Sequence, residues 1–196
     1  MARDILVFYG SYRRDRQGIE LARWIVEALQ ARGDEAELID AKVVDLPMLD
    51  RRFSDYAAGE APPAMTELAE RIAAADGFVF VTGEYNGGLQ PGLKNLVDHF
   101  LAQYYWRPAA IASYSAGPFA GIRSATAWRT TLGAMGMVVT STPLSLARIG
   151  GAFDADGRPA GEDGGRLEKA FPRFADDLCW WIDAARKQRE EQAPPF

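Results

Sequence analysis

Residues 78–86 read FVFVTGEYN, and Gly87 and Gly88 follow them. The first five residues, Phe78 to Thr82, form a short and almost wholly apolar run, which predicts a buried strand. A glycine, a carboxylate, a phenol and an amide then follow without a break. Glycine lets the backbone approach a ligand closely, and the polar groups offer hydrogen bonds at the same place. The stretch therefore predicts a strand that ends beside a flat ligand with polar edges.

Further apolar runs on both sides of this strand alternate with segments of helical periodicity. Continuously apolar strands are typical of a parallel sheet that helices cover on both faces. We therefore expect one α/β domain over residues 1–196, a three-layer sandwich with a five-stranded parallel sheet and a polar tail at 186–196. The other strands are predicted at 5–9, 35–39, 109–114 and 137–141 (resuming near 144–146), and the helices at 19–33, 65–76, 93–101, 121–135 and 165–187.

Composition and charge exclude several classes of protein. The 196 residues are 48% apolar and 25% charged, as in globular domains, and the net charge of −5 argues against a broad basic face for nucleic acid. Cys179 is the only cysteine and His99 the only histidine, so we expect neither a disulfide nor a metal site. We also expect no membrane span and no signal peptide, and hence a cytoplasmic protein.

Ligands of parallel sheets bind beyond the carboxyl ends of the strands, and three polar, glycine-containing strand exits share that edge. The first exit, 10–18, leads into a helix whose free N–H groups attract an anion such as a phosphate. It has neither the Walker spacing nor the dinucleotide fingerprint, and an ordinary charged loop remains the alternative. Its candidate phosphate ligands are Ser11, Arg13, Arg16, Gln17 and Gly18.

The second and third exits, 83–88 and 115–121, suit the planar part of such a ligand. The second offers an acceptor, an aromatic plate and an amide, and the third offers small residues with free N–H groups for the polar edge of a pyrimidine-like ring. A plain glycine-rich turn is the alternative for the second exit. The candidates are Gly83, Glu84, Tyr85, Asn86 and Gly87 in the second exit, and Ser115, Ala116 and Gly117 in the third.

Three segments carry a resemblance to a known family. They are Gly10-Ser11-x-Arg13, Glu84-Tyr85-Asn86-Gly87-Gly88 and Gly92-Leu93-Lys94-Asn95-x-x-Asp98. In these segments the chain resembles the NADPH-dependent FMN reductase family, which has a flavodoxin-like fold and includes quinone, azo-dye and chromate reductases. The resemblance implies that the first exit holds the FMN phosphate, while the second and third line the isoalloxazine.

The chain departs from the pattern of that family at two places. Gly83 stands where the family usually has a proline, and the first exit has Arg16 and Gly18 where serine and asparagine are frequent. The first departure loosens the loop beside the ring. The second replaces hydroxyl and amide contacts to the phosphate with a guanidinium contact.

The resemblance implies an FMN-containing oxidoreductase that passes hydride from NADPH or NADH to the flavin and then to a small-molecule electron acceptor, such as a quinone or an azo dye. Hydride transfer needs no protein acid or base, so no catalytic side chain is assigned. A free-flavin reductase and an FMN-binding electron-transfer protein remain alternatives, and the resemblance implies a homodimer or homotetramer. Two sets of residues have roles that the sequence does not decide. The candidates for binding a 2′-phosphate of NADPH are Arg13, Arg14 and Arg123. The candidates for a subunit boundary, a wall above the flavin or a cap on the sheet edge are Tyr104, Tyr105 and Trp106.

Overall fold

Parallel strands form one sheet in the computed structural model, which describes residues 2–196. The order across the sheet is β2-β1-β3-β4-β5, and β6 pairs with β4 beyond the end of β5. This order is the flavodoxin-like one, so the predicted fold class is confirmed. The fifth strand position is occupied in two pieces, as the sequence indicates. The strands are β1 (Asp4–Tyr9), β2 (Glu35–Asp40), β3 (Gly77–Gly83), β4 (Pro108–Tyr114), β5 (Val138–Val139) and β6 (Leu144–Leu146).

Helices cover both faces of the sheet and give the predicted three layers. The first and last helices pack on one face through buried side chains such as Ile25 and Leu178. The middle helices pack on the other face, where Ile72, Leu96 and Trp128 contact an apolar cluster of the sheet. The helices are α1 (Gly18–Ala31), α2 (Ala41–Val44), α3 (Pro63–Ala74), α4 (Pro91–Asp98), α5 (Ile122–Ala134) and α6 (Gly161–Glu191).

The last helix is longer than predicted. It extends to Glu191, so the residues from 186 to 191 are helical and only 192–196 follow the helix. Apolar periodicity does not extend beyond Ile182, which is why the sequence indicates an earlier end. Arg186 and Arg189 both pair with Asp76, and these contacts fix the polar last turns against the body of the protein. Within residues 2–196, no helix combines the length and the apolar character that a membrane crossing requires.

The exit from β1 passes through a very close contact with the start of α4. A Cβ atom at Gly10 would lie 2.2 Å from the backbone of Leu93, a separation that forces one of the two elements to move. The first exit and the helix that follows the second exit are therefore in direct backbone contact.

Replacing Gly10 with alanine tests this contact. We expect Gly10→Ala to lower the free energy of unfolding by about 3 kcal/mol, because the added methyl group meets backbone that no rotamer change can relieve. Gly165→Ala is the matched control, since a Cβ at that helical position meets no atom within 4 Å. The control is expected to gain up to about 1 kcal/mol from helix propensity. Equal urea midpoints for the two variants would contradict the close contact.

Candidate functional site

A cleft at the carboxyl edge of the sheet brings the three predicted exits together. Its lining contains most of the residues that the sequence singled out, drawn from loops that are far apart along the chain. It does not include Gly18, Asn86, Gly87 or Gly117. The predicted residues that line the cleft are Ser11, Arg13, Arg16, Gln17, Gly83, Glu84, Tyr85, Ser115 and Ala116.

Ile149, in a fourth segment at 148–151, also lines the cleft, and the sequence did not indicate it. The N–H of Ile149 donates to the carbonyl of Ser115 at 3.2 Å, and the N–H of Arg148 donates to that of Gly117 at 3.1 Å. These bonds fasten the segment to the third exit. Two glycines follow a strand here as they do in the second exit, so the same signal could have revealed this segment. Asp15 and Tyr114 are the other lining residues that were not predicted.

The buried ring of Tyr114 explains both glycines at which the chain departs from the family that it resembles. A Cβ at Gly18 would lie 2.1 Å from the Cζ of this ring, and a Cβ at Gly83 would lie 2.8 Å from the same atom. A proline or an asparagine at these positions would therefore overlap the ring. Gln90 Nε2 donates to the Tyr114 hydroxyl at 2.9 Å, and burial raises the pKa of that hydroxyl. Tyr114 is thus a fixed neutral group beneath the cleft.

Tyr85 connects the first and second exits. Its hydroxyl lies 2.8 Å from Ser11 Oγ, so the two groups share a hydrogen bond. The guanidinium carbon of Arg13 lies 5.9 Å from the centre of the Tyr85 ring, within range of a cation–π contact. The aromatic plate predicted for the second exit is therefore attached to the predicted phosphate loop.

Asn86 and Gly87 form a tight turn at the tip of the second exit. Tyr85 and Gly88 exchange two backbone hydrogen bonds, of 3.1 and 2.9 Å, around them. The φ angles of Asn86 and Gly87 are 51° and 78°, and an Asn-Gly pair suits such left-handed positions in a two-residue turn. The turn interpretation thus accounts for these two exposed residues, but it leaves Glu84 and Tyr85 unexplained.

Glu84 joins the second exit to helix α5. Its carboxylate, with 10% of the side chain exposed, accepts hydrogen bonds from the guanidinium of Arg123 and, at 3.1 Å, from the Arg123 backbone N–H. The same guanidinium lies 4.9 Å from the ring centre of Phe119, which is 60% exposed. The rim of the cleft therefore contains a neutralised carboxylate and an exposed aromatic ring.

Arg16 is held by a carboxylate rather than standing free in the cleft. Its guanidinium lies 2.7 Å from Asp40 at the end of β2, and both side chains are largely buried. Asp40 also accepts from the N–H of Lys42 at 3.0 Å and so caps α2. Neither contact can be read from the sequence, because the partners of Asp40 come from a loop and a helix start outside β2. Arg13 is the exposed cation of the first exit that lines the cleft.

Several residues that stood apart in the sequence lie away from the cleft. His99 is buried, with Nδ1 2.8 Å from the carbonyl of Asn95. Burial raises the pKa of the Cys179 thiol to about 11, which makes it a packed thiol rather than a reactive thiolate. Tyr104 lies in the core, and Trp106 precedes β4 at the opposite edge of the sheet. The structure thus excludes these two residues as a wall above the flavin.

Comparison with known proteins places this geometry in a family. The sequence profile of the NADPH-dependent FMN reductases matches residues 3–150. The chain belongs to this family, and the resemblance read from the sequence is confirmed.

Individual relatives agree with this assignment. An NAD(P)H-dependent FMN reductase of Schizosaccharomyces pombe is 34% identical over 189 residues, which cover 87% of this chain and 88% of that protein. One from Nectria sp. is 31% identical over 121 residues, and the match spans 56% of this chain and 58% of the length of that relative. Among solved structures, the flavoenzyme FerB from Paracoccus denitrificans has a TM-score of 0.73 at 24% identity, covering 94% of this chain and 99% of that protein, which shows the shared fold.

The Arg16–Asp40 pair provides a test of the electrostatics around the cleft. We expect Asp40→Asn to lower the free energy of unfolding by about 2 kcal/mol, because it leaves a largely buried guanidinium without its counter-ion. Asparagine still accepts the cap hydrogen bond from Lys42, so the change isolates the charge pair. Asp15→Asn, at an exposed position of the first exit, is the control and is expected to be neutral. Urea unfolding of both variants without added flavin makes the comparison, and equal midpoints would contradict the account.

Proposed function

We propose that this chain is an NAD(P)H-dependent oxidoreductase that holds FMN in the cleft and passes reducing equivalents to a small-molecule acceptor such as a quinone or an azo dye. The observation that carries the proposal is the convergence of an anion-binding loop, an aromatic plate and a neutralised carboxylate at one edge of a flavodoxin-like sheet. Membership of the FMN reductase family supports the same activity.

The first exit fits a phosphate group by its donors. Ser11 contributes a hydroxyl, Gln17 an amide and Arg13 an exposed guanidinium, beside the N-terminus of the 14-residue helix α1. Positive charge at a helix start and charge-assisted hydrogen bonds both favour a phosphate dianion. Arg16 contributes less, since Asp40 already neutralises it.

The second and fourth segments fit a planar ring. Tyr85 offers an aromatic surface and Ile149 an apolar one, and both line the same cleft. Arg123 neutralises the carboxylate of Glu84, so an electron-rich ring beside it meets no unpaired negative charge. When FMN is bound it supplies the hydride-accepting chemistry, and the chain binds, orients and shields it.

The nicotinamide donor and the acceptor use the exposed side of the cleft in turn. Phe119, which contacts the Arg123 that holds Glu84, offers an exposed surface on which a flat second substrate can stack. Because both substrates use one face, the kinetics are of the ping-pong type.

Titration with FMN followed by NADPH tests the proposal. Protein reconstituted with FMN is expected to be yellow and to lose its colour on addition of NADPH or NADH without air. Addition of a quinone then restores the colour. A protein that binds no FMN, or that binds FMN but is never reduced by either nucleotide, would overturn the proposed function.

Adjacent arginines of the first exit give a matched pair for the phosphate. Arg13 lines the cleft, whereas Arg14 is exposed beside it and is not part of the lining. We expect Arg13→Gln to weaken FMN binding about tenfold, the effect of one charge-assisted hydrogen bond, and Arg14→Gln to change it less than twofold. Fluorescence titration of FMN measures both values. Equal losses in the two variants would mean that only the general positive charge of the loop matters.

A second candidate is a free-flavin reductase, which takes FMN as a substrate and releases it reduced. The exposure of Arg13 and Gln17, together with the prior engagement of Arg16 by Asp40, favours such exchangeable binding. Gel filtration of the FMN-loaded protein separates the two candidates, because a resident cofactor stays with the protein and a substrate is lost. FMN binding without any NAD(P)H oxidation would instead favour the third candidate, an electron-transfer protein.

The proposal includes a cytoplasmic homodimer or homotetramer. The lone buried Cys179 suits a reducing compartment. The exposed apolar side chains of Tyr12, Val43 and Met48, on the segments that follow β1 and β2, suit a contact between subunits beside the cleft. Light scattering on the purified protein measures the assembly, and a monomer at all concentrations would contradict this part of the proposal.

A further inference from the structure

A second cavity lies at the opposite edge of the sheet from the flavin cleft. It opens between the last turns of α6, the first residues of β4 and β5, and the segment that follows α6. We call it the basal cavity, and its volume is about 380 Å³, within the range of small-molecule sites. Its lining includes Trp106, Trp181, Ala184, Arg189, Pro194 and Pro195.

The lining of the basal cavity is largely apolar and partly aromatic. Trp106 and Trp181 contribute two indole rings, and Trp181 keeps 38% of its surface exposed. The prolines at 194 and 195 close one side. Large exposed aromatic surface that is concave, rather than scattered, is a feature of sites for flat apolar ligands.

The backbone of Trp106 is held in a conformation that bulky residues rarely adopt. Its φ angle is 62°, in the left-handed region. Three hydrogen bonds stabilise the residue. Its backbone N–H donates to the carbonyl of Gly136, and its indole Nε1–H donates to the main-chain oxygen of Phe196, both at 3.0 Å. Its carbonyl accepts a hydrogen bond from Arg189 at 3.3 Å. Such strain is kept where the surroundings enforce it, and it points to a functional role of the indole position.

Two arginines share one carboxylate beside the cavity. Arg186 and Arg189 share the carboxylate of Asp76 at 3.4 and 3.6 Å, which are long distances for ion pairs. Arg107 donates instead to the backbone carbonyls of Ala73, Ala75 and Tyr105.

The surroundings of Arg189 shift the pKa of its guanidinium. Burial lowers the pKa of Arg189, while Asp76 raises it by more than Arg186 lowers it and Glu190 adds a smaller increase. An anion beside this partly buried guanidinium would offset the cost of its burial.

From the cavity, the strained backbone of Trp106 and the partly buried Arg189, we propose that the basal cavity binds a small flat aromatic carboxylate, with its ring between Trp106 and Trp181 and its carboxylate at Arg189. The indole rings select a planar apolar body, and Arg189, whose ion pair with Asp76 is long, selects a carboxylate through a charge-assisted hydrogen bond. The site is separate from the cleft and does not rest on the proposed function.

Calorimetric titration of the FMN-loaded protein with 2-naphthoate, and with its neutral analogue 2-naphthamide, tests the proposal. We expect one saturable naphthoate site with a Kd on the order of 0.1 mM, a reasonable affinity for a ligand of this size, and weaker binding of the amide. Arg189→Gln is expected to weaken naphthoate binding about tenfold and naphthamide binding less than twofold. No saturable heat up to the solubility limit of the probe would overturn the proposal.

Paired variants locate the site. Trp181→Ala and the cavity-filling Ala184→Phe are both expected to weaken naphthoate about tenfold or more. Trp180→Ala is the control, because this neighbouring, 64% exposed tryptophan does not line the cavity. Arg13→Gln, which alters the flavin cleft, is expected to leave naphthoate binding unchanged even if the protein binds no FMN.

Other results contradict the assignment. A loss of naphthoate binding in Arg13→Gln would move the ligand to the cleft, and equal losses in Trp180→Ala and Trp181→Ala would mean non-specific adsorption. A halved particle mass for Trp181→Ala in light scattering would show that a second copy of the chain occupies this face instead. Each of these outcomes overturns the proposal.

Discussion

The ring of Tyr114 packs directly on the backbone of Gly18 and Gly83, and the geometry of the cleft depends on this contact. The ring fills the space that side chains would occupy at both glycines, so the first helix and the second exit can approach β4 closely. Gln90 fixes the hydroxyl of the ring from the far side. One buried aromatic residue thus sets the distances between three loops that are far apart in the sequence.

Charges around the cleft are arranged in pairs before any ligand arrives. Asp40 holds Arg16, and Arg123 holds Glu84, which leaves Arg13 as the exposed cation that lines the cleft. Pairing of this kind reduces the reorganisation that binding requires, and it leaves Glu84 at the second exit neutralised. It also explains why a glycine-rich loop can hold its shape, since Glu84 fastens the second exit to α5 at two points.

The sequence predicted the fold well because buried parallel strands are short apolar runs whose exits must share one edge. That rule brought Ser11, Tyr85 and Ser115 to one cleft without any knowledge of their contacts. The same rule does not predict contacts between residues of the cleft that are far apart in the sequence. The pairing of Arg16 with Asp40 and the position of Ile149 depend on how loops fold over one another, which periodicity does not record.

Local chemistry accounts for other features of the chain. Asn86-Gly87 is a strong signal for a tight turn, which the structure forms, and a ligand contact of the Asn86 amide stays a prediction. The last turns of α6 lack apolar periodicity, and their helix is stabilised by Arg186 and Arg189 against Asp76, a contact that composition cannot reveal.

The central claim is that loops leaving neighbouring parallel strands hold a phosphorylated planar cofactor at one edge of the sheet. A crystal structure of the protein grown with FMN tests it most directly. The account predicts the phosphate at residues 11–17, beside Arg13, and the ring system against Tyr85 and the 115–117 loop. FMN bound elsewhere, or in this cleft with its phosphate directed away from the first exit, would contradict the account.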